Sequence, residues 1–234
     1  MAMAEPDELG FFDAMKAEAR RKALARTRLV RAKKGLALLS KGDTSTDIFF
    51  VLEGRLQVLL YSTNGREISL RDLAEDDMFG EMAAIDGESR SASIRAVEPS
   101  RLLVMSRADF MAAVGASQEA SLWLLQQLTT RIRSLTERVF ELSALNVQAR
   151  LHCELLRMAA RSPNGLEISP APTHAELASR IGTHREAVTR EMRALTALNI
   201  IKTGRRRLEF VDLSRLQTSV GRLALQGAEA EAGG

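Results

Sequence analysis

Two threonine-led capping boxes, ten residues apart, constrain this chain more than any other feature. They read Thr173-His174-Ala175-Glu176 and Thr183-His184-Arg185-Glu186. In each, the threonine hydroxyl can accept from an early backbone N–H of a helix while the glutamate reaches back to the cap. Gly182 lies between the boxes and permits a sharp turn. The pattern predicts two short helices joined by a turn, a helix-turn-helix.

The second of these helices can be tested by geometry. At about 100° per residue, Arg185, Glu186, Thr189, Arg190 and Arg193 fill one arc of about 140°. Ala187, Val188, Glu191, Met192, Ala194, Leu195 and Leu198 fill the rest. One face is therefore expected to bury, and the other to present three arginines, a glutamate and a threonine. A merely solvated helix would mix lysine with glutamate. Arginine near the first turns suits the major groove, because its fork fits guanine O6 and N7 and a carboxylate accepts from cytosine N4. The stretch IIKTGRRRLEFV (200–211) follows. Its two strand-like pieces flank Thr203-Gly204 and predict a hairpin wing, with Arg205, Arg206 and Arg207 placed for phosphate.

Charge divides the chain the same way. Residues 146–222 carry 13 Lys/Arg against 7 Asp/Glu, a net of +6, whereas residues 36–120 carry 8 against 14, a net of −6. The basic region is the natural partner of a polyanion.

The acidic region reads as short strands. Apolar runs at 48–52, 55–61, 69–73, 90–97 and 101–105 are broken by turn signals at Gly54, Asn64-Gly65 and Asp76-Asp77. Asn64-Gly65 predicts a hairpin. The expected fold class is α+β, with an N-terminal jelly-roll-like β-barrel, a long helix and a C-terminal winged helix-turn-helix. Along the long helix, Leu125, Leu128, Ile132, Leu135, Val139 and Leu142 alternate three and four apart, an a/d seam that suits a two-helix homodimer. Ser106 and Asn146 are expected helix caps, with a hinge at 143–147. The expected domains are 1–120, 121–145 and 146–225, with a disordered tail at 226–234.

Other chemistries are excluded. Cys153 is the sole cysteine, so it has no disulfide partner, and His152, His174 and His184 show no metal-ligand spacing with it. No catalytic set, metal site or prosthetic group is expected. The N-terminus lacks the apolar core of a signal peptide, and no apolar run reaches about 18 residues, so a cytoplasmic, non-membrane protein is expected.

One segment within the strands suits a cyclic phosphodiester. Such a ligand needs a cation, N–H donors and a carboxylate for its ribose 2′-OH. In Gly80–Ser93, Arg90 can offer its fork and Ser91 a hydroxyl and amide, while Glu81 can accept the 2′-OH and Gly80 permits close backbone approach. The chain resembles the cyclic-AMP receptor protein and fumarate–nitrate regulator family over about residues 25–212. Gly80, Glu81, Arg90 and Ser91 match that family's phosphate-binding cassette. Arg185, Glu186 and Arg190 match the reading helix of its cyclic-AMP receptors, which implies guanine contacts for the arginines and a cytosine contact for the glutamate.

The resemblance also implies that Arg131 reaches towards Glu81, and that Leu135 and Thr136 stand where the family meets the adenine amino group. Leu135 departs from the family's hydroxyl there. Arg71 stands in place of a serine and could offer donors to guanine, so cyclic AMP is the first expected effector and cyclic GMP the second. The candidate nucleotide site is then Leu70, Arg71, Gly80, Glu81, Met82, Arg90, Ser91, Arg131, Leu135 and Thr136. The candidate DNA site is Thr173, His174, Thr183, Arg185, Glu186, Thr189, Arg190, Arg205, Arg206 and Arg207. Palindromic DNA with TGTGA-like half-sites and RNA polymerase, through the loop 161–166, are implied partners. A same-fold regulator that senses another small ligand, or acts constitutively, is the alternative.

Overall fold

The computed structural model describes residues 6–63, 65, 67–162 and 165–220. They fall into two compact units, divided between Ile132 and Arg133.

The first unit opens with two short helices, α1 (Gly10–Asp13) and α2 (Ala17–Leu24). Eight strands follow: β1 (Thr27–Ala32), β2 (Ala37–Leu39), β3 (Ile48–Glu53), β4 (Leu56–Tyr61), β5 (Glu67–Leu73), β6 (Met78–Phe79), β7 (Ser93–Ala96) and β8 (Ser100–Met105). A short helix, α3 (Glu81–Asp86), interrupts them, and α4 (Arg107–Ala116) and the long α5 (Gln118–Ala144) complete the series. The strands form two four-stranded antiparallel sheets, ordered β1-β8-β3-β6 and β2-β7-β4-β5.

This corrects the expected barrel. Among the described residues no ladder joins the two sheets, so each keeps its own edges and the unit is a jelly-roll-like sandwich. The chain changes sheet between β3 and β4 at Gly54, whose φ is 98°. A Cβ there would lie 2.6 Å from the Pro99 carbonyl, so only glycine fits the crossing. The expected β4–β5 hairpin is present, with Tyr61 opposite Glu67. Its Gly65 has φ 76°, and Asn64 lies outside the described residues.

β3 shows why IFFVL carries no polar alternation. Phe49 and Val51 face the core between the sheets, with Leu56, Leu73, Phe79 and Val104. Ile48, Phe50 and Leu52 face the opposite way, against Phe11, Phe12, Phe110 and Leu124 of the helices. A strand covered on both faces reads as a continuous apolar run. β1 falls outside the strand region expected from residue 36, because only Ala32 of its six residues is buried.

The second unit begins within α5. It continues through α6 (Val147–Met158), β9 (Ala160–Ser162), β10 (Gly165–Ile168), α7 (His174–Ile181), α8 (Arg185–Ala197), β11 (Ile201–Gly204) and β12 (Arg207–Phe210), and residues 213–220 are helical. Ser106 and Asn146 cap α4 and α6 through Asp109 N and Ala149 N. The wing belongs to a four-stranded sheet ordered β11-β12-β10-β9, more strand than the sequence suggests. Its tip is Arg205-Arg206, not Thr203-Gly204, because Gly204 pairs with Arg207 and Arg206 takes φ 57°. Pro163 and Asn164 of the expected polymerase loop, and the expected tail 226–234, lie outside the described residues.

Candidate nucleotide and DNA sites

The candidate nucleotide cradle is built where β6 turns into α3. Gly80 takes φ 84° as the cap of α3. A Cβ on it would lie 2.6 Å from Nη1 of Arg90 and 2.9 Å from the Asp47 carbonyl, so glycine is required twice over. Arg90 is 3% exposed. Its Nε donates to Ser45 Oγ at 3.1 Å, Nη1 to the Gly80 carbonyl at 3.0 Å, and Nη2 to the Asp47 carbonyl at 2.7 Å. Burial lowers its pKa, opposed by Asp47, Asp43 and Glu81, and the guanidinium stays charged. These three bonds occupy three of five N–H groups and hold the fork in one orientation.

Glu81 is 5% exposed and ion-paired with Arg131 of α5, the contact implied by the family resemblance. Arg71 on β5 is half-buried. It donates to Asp77 at 3.1 Å and to the Met78 carbonyl at 3.3 Å. Its pKa is lowered by burial first and by the nearby Arg131 charge second. Ser91 Oγ lies 3.6 Å from Met82 Sδ, and Leu70, Met82 and Ser91 are exposed. The first unit thus gathers Gly80, Glu81, Arg90 and Arg131 with Arg71. Leu135 and Thr136 belong to the second unit, where both are exposed. Ser45, Asp47 and Asp77 hold these arginines without having been singled out in the sequence. Asp77 read as a turn residue, and the Arg90 hydrogen bond goes to the backbone carbonyl of Asp47, which carries no residue-type signal.

In the second unit the first capping box forms as expected. Glu176 N donates to Thr173 Oγ1 at 3.2 Å, and Thr173 N donates to Glu176 Oε2 at 2.6 Å. The second box does not form. α8 starts at Arg185 with His184 as its cap and no side-chain cap bond. Left-handed Gly182 ends α7, and Thr183 N donates back to the Ala178 carbonyl, so Thr183 closes α7 and is buried.

The faces of α8 largely follow the predicted arc. Arg185, Glu186, Arg190 and Arg193 are exposed and Thr189 is half-buried, while Val188, Glu191, Met192 and Leu195 are buried. Ala194 and Leu198, placed on the buried side by periodicity, are exposed. Buried Glu191 lies 2.8 Å from His152 Nε2 and accepts from Gln148 at 2.6 Å, and the His152 bond lowers its pKa first. Thr189 Oγ1 donates to the Arg185 carbonyl and lies 2.9 Å from His174 Nδ1. Burial and the charges of Arg185 and Arg193 lower the His174 pKa. In the wing, Arg205 and Arg206 are exposed, but Arg207 is half-buried and ion-paired with Glu167 and Glu209. Among the described residues, no group of three His, Cys, Asp or Glu could hold a metal ion, and no helix is long and apolar enough to cross a membrane.

A strand-rich unit with a buried arginine cradle, followed by a basic helix-turn-helix, defines a class: DNA-binding transcription regulators with a cyclic-nucleotide-binding domain. Comparison with known proteins agrees. Residues 29–117 match the cyclic nucleotide-binding domain family, and residues 149–219 match the Crp-like helix-turn-helix domain. The chain is 27% identical over 170 residues to the cAMP-activated global transcriptional regulator CRP of Pasteurella multocida, covering 70% of this chain and 80% of that one. It is 28% identical over 183 residues to the cyclic AMP receptor protein of Thermus thermophilus, covering 78% and 83%. A CooA mutant from Carboxydothermus hydrogenoformans shares its fold at a TM-score of 0.73 and 22% identity, covering 84% of this chain and 89% of that one. The chain belongs to the Crp/Fnr family, whose members are transcription regulators and not enzymes.

Proposed function

We propose that this chain is a homodimer whose affinity for palindromic DNA is raised by a 3′,5′-cyclic nucleotide, with cyclic AMP the first candidate. The observation that carries the reading is Arg90. It is a buried guanidinium held by Ser45, Asp47 and Gly80, with two N–H groups left over, and the missing side chain of Gly80 makes room for the guanidinium itself. One small anion is what such a preset fork suits. Glu81 supplies the acceptor for the ribose 2′-OH. The relatives from Pasteurella and Thermus bear names that tie them to cyclic AMP, which favours the same ligand here.

Dimerisation is supported by α5. Leu125, Ile132, Leu135, Val139 and Leu142 of the a/d seam are 48–64% exposed, an apolar stripe that a second copy would cover. Arg185 and Arg190 read guanines and Glu186 a cytosine in TGTGA-like half-sites, about 34 Å apart. RNA polymerase completes the partners. Cyclic GMP is the second candidate because of Arg71, whose guanidinium carries donors that an adenine-selective pocket does not need.

Calorimetric titration with cyclic AMP and cyclic GMP, followed by gel shifts on palindromic and scrambled duplexes, tests the reading. The ligand should raise palindrome affinity far more than scrambled affinity. Equal palindrome binding with and without either nucleotide would remove the switch.

A further inference from the structure

The second unit holds a buried ionic cluster that neither nucleotide binding nor DNA reading uses. Glu154 on α6 is 3% exposed and meets three guanidinium groups. Arg138 of α5 donates through Nη1 to Glu154 Oε2 at 2.9 Å, Arg180 of α7 lies 3.5 Å from Oε1, and Arg157 bonds Oε2. Arg138 also donates through Nη2 to the Arg180 carbonyl, and Arg157 reaches back to Glu141 of α5. A single guanidinium therefore grips a carboxylate on α6 and the backbone end of α7 at once. A planar fork can do this, whereas a lysine ammonium on its flexible stem is not built to.

The cluster lies across the break between α5 and α6, where the sequence places a hinge at 143–147. That break is braced. Arg150 donates to the Leu145 and Leu142 carbonyls at 3.2 and 3.4 Å, and Leu145 is buried. A buried ion cluster seldom adds stability over an apolar replacement, yet removing one member leaves the others uncompensated. What it supplies here is a single arrangement of three helices.

We propose that Arg138 is a positioning residue that makes residues 133–144 of α5 and the helix-turn-helix move as one body. A change in α5 then reaches the reading helix through Arg138, Glu154 and Arg180, and is not absorbed by bending at 143–147. The proposal rests on the proposed function only for the origin of that change, nucleotide binding.

The test compares the full-length wild type with Arg138→Met, which keeps the apolar stem and removes the fork, and with Arg133→Gln, an exposed α5 control. Backbone hydrogen exchange is measured without ligand, and palindrome affinity is measured by fluorescence anisotropy with and without saturating cyclic AMP. Arg138→Met should speed exchange over residues 136–144 by about tenfold while Val188 and Met192 of α8 keep wild-type protection. The ratio of palindrome affinities with and without nucleotide should fall by about tenfold. Arg133→Gln should change neither. Unchanged exchange over 136–144 in a folded Arg138→Met protein would overturn the proposal. So would faster exchange spread evenly over the whole unit, the mark of a merely structural role. If Arg138→Met does not fold, Arg138→Lys keeps the charge, and wild-type exchange in that variant would also overturn it. A wild type indifferent to cyclic AMP and cyclic GMP would defeat the proposed ligands, and the exchange result would then decide the joint alone.

Discussion

The two units use arginine in opposite ways. In the strand-rich unit, Arg90 is buried with its donors on backbone carbonyls and a serine, and Arg71 and Arg131 are tied to Asp77 and Glu81. In the helical unit, the guanidinium groups of Arg185, Arg190 and Arg193 are exposed, with no hydrogen bond or ion pair among the described residues. A buried, fully oriented cation has its ordering cost met on folding and suits one small anion of fixed shape. An exposed arginine keeps its rotamer freedom until it meets a groove, and its phosphate and base contacts weaken as salt rises. In the proposed function, the same side chain would serve as a lock in one unit and as a reader in the other.

The largest expected effect comes from the helix shared by both units. Ile132→Asp should leave the protein monomeric in sedimentation at micromolar concentration and remove palindrome binding, because an unpaired carboxylate would have to enter the apolar seam. A wild type that sediments as a monomer would break the dimer reading outright. Next is the lock. Arg90→Ala should lower cyclic AMP affinity by at least about tenfold in calorimetry, since each charge-assisted bond contributes about 1.5–3 kcal/mol. Glu81→Ala should cost less, because it removes a ribose contact and not the phosphate counter-charge. Near-normal affinity in Arg90→Ala would leave the buried arginine as scaffolding only.

What was legible in the sequence follows the same division. The arc of α8 and the Thr173 box are local patterns of period and spacing, so they could be read directly. In the Gly80–Ser91 segment, Gly80, Glu81 and Arg90 stood out by residue type, and the structure buries Glu81 and Arg90 there, whereas Ser91 is exposed. Other features depend on distant partners. Phe11 and Phe12 are buried in the first core, but α1 spans four residues, too few to show a period. β1 buries one residue of six and so shows no alternation. The grip of Arg138 on Glu154 spans 16 residues and the Arg180–Glu154 pair 26, and nothing local marks either. Thr183 misled because its box is correct in spacing, yet the close of α7 at Gly182 takes up its backbone first.

Smaller effects separate reading from holding within the basic unit. Arg185→Ala should cost about 1–3 kcal/mol per half-site and relax the preference at one guanine. Competition between duplexes that differ at that base measures it. An equal loss on palindromic and scrambled DNA would make Arg185 a phosphate contact.

The smallest effect concerns the wing, where two neighbouring arginines should behave differently. Arg206 stands exposed at the tip with φ 57°, whereas Arg207 is half-buried between Glu167 and Glu209. A phosphate contact adds about 0.9 to the slope of log affinity against log salt and carries no sequence information. Arg206→Asn tests this cleanly, because asparagine tolerates the left-handed backbone that alanine would strain. It should flatten the salt slope by about 0.9 per half-site and weaken palindromic and scrambled DNA alike. Arg207→Gln should barely change the slope, since its charge is already met inside the sheet. Its cost should appear in stability instead, as two carboxylates losing their shared cation. Equal slopes for Arg206→Asn and the wild type would take the tip off the DNA. A slope change confined to Arg207→Gln would mean that the ion pairs with Glu167 and Glu209 open when DNA binds, and that the wing both holds and reads.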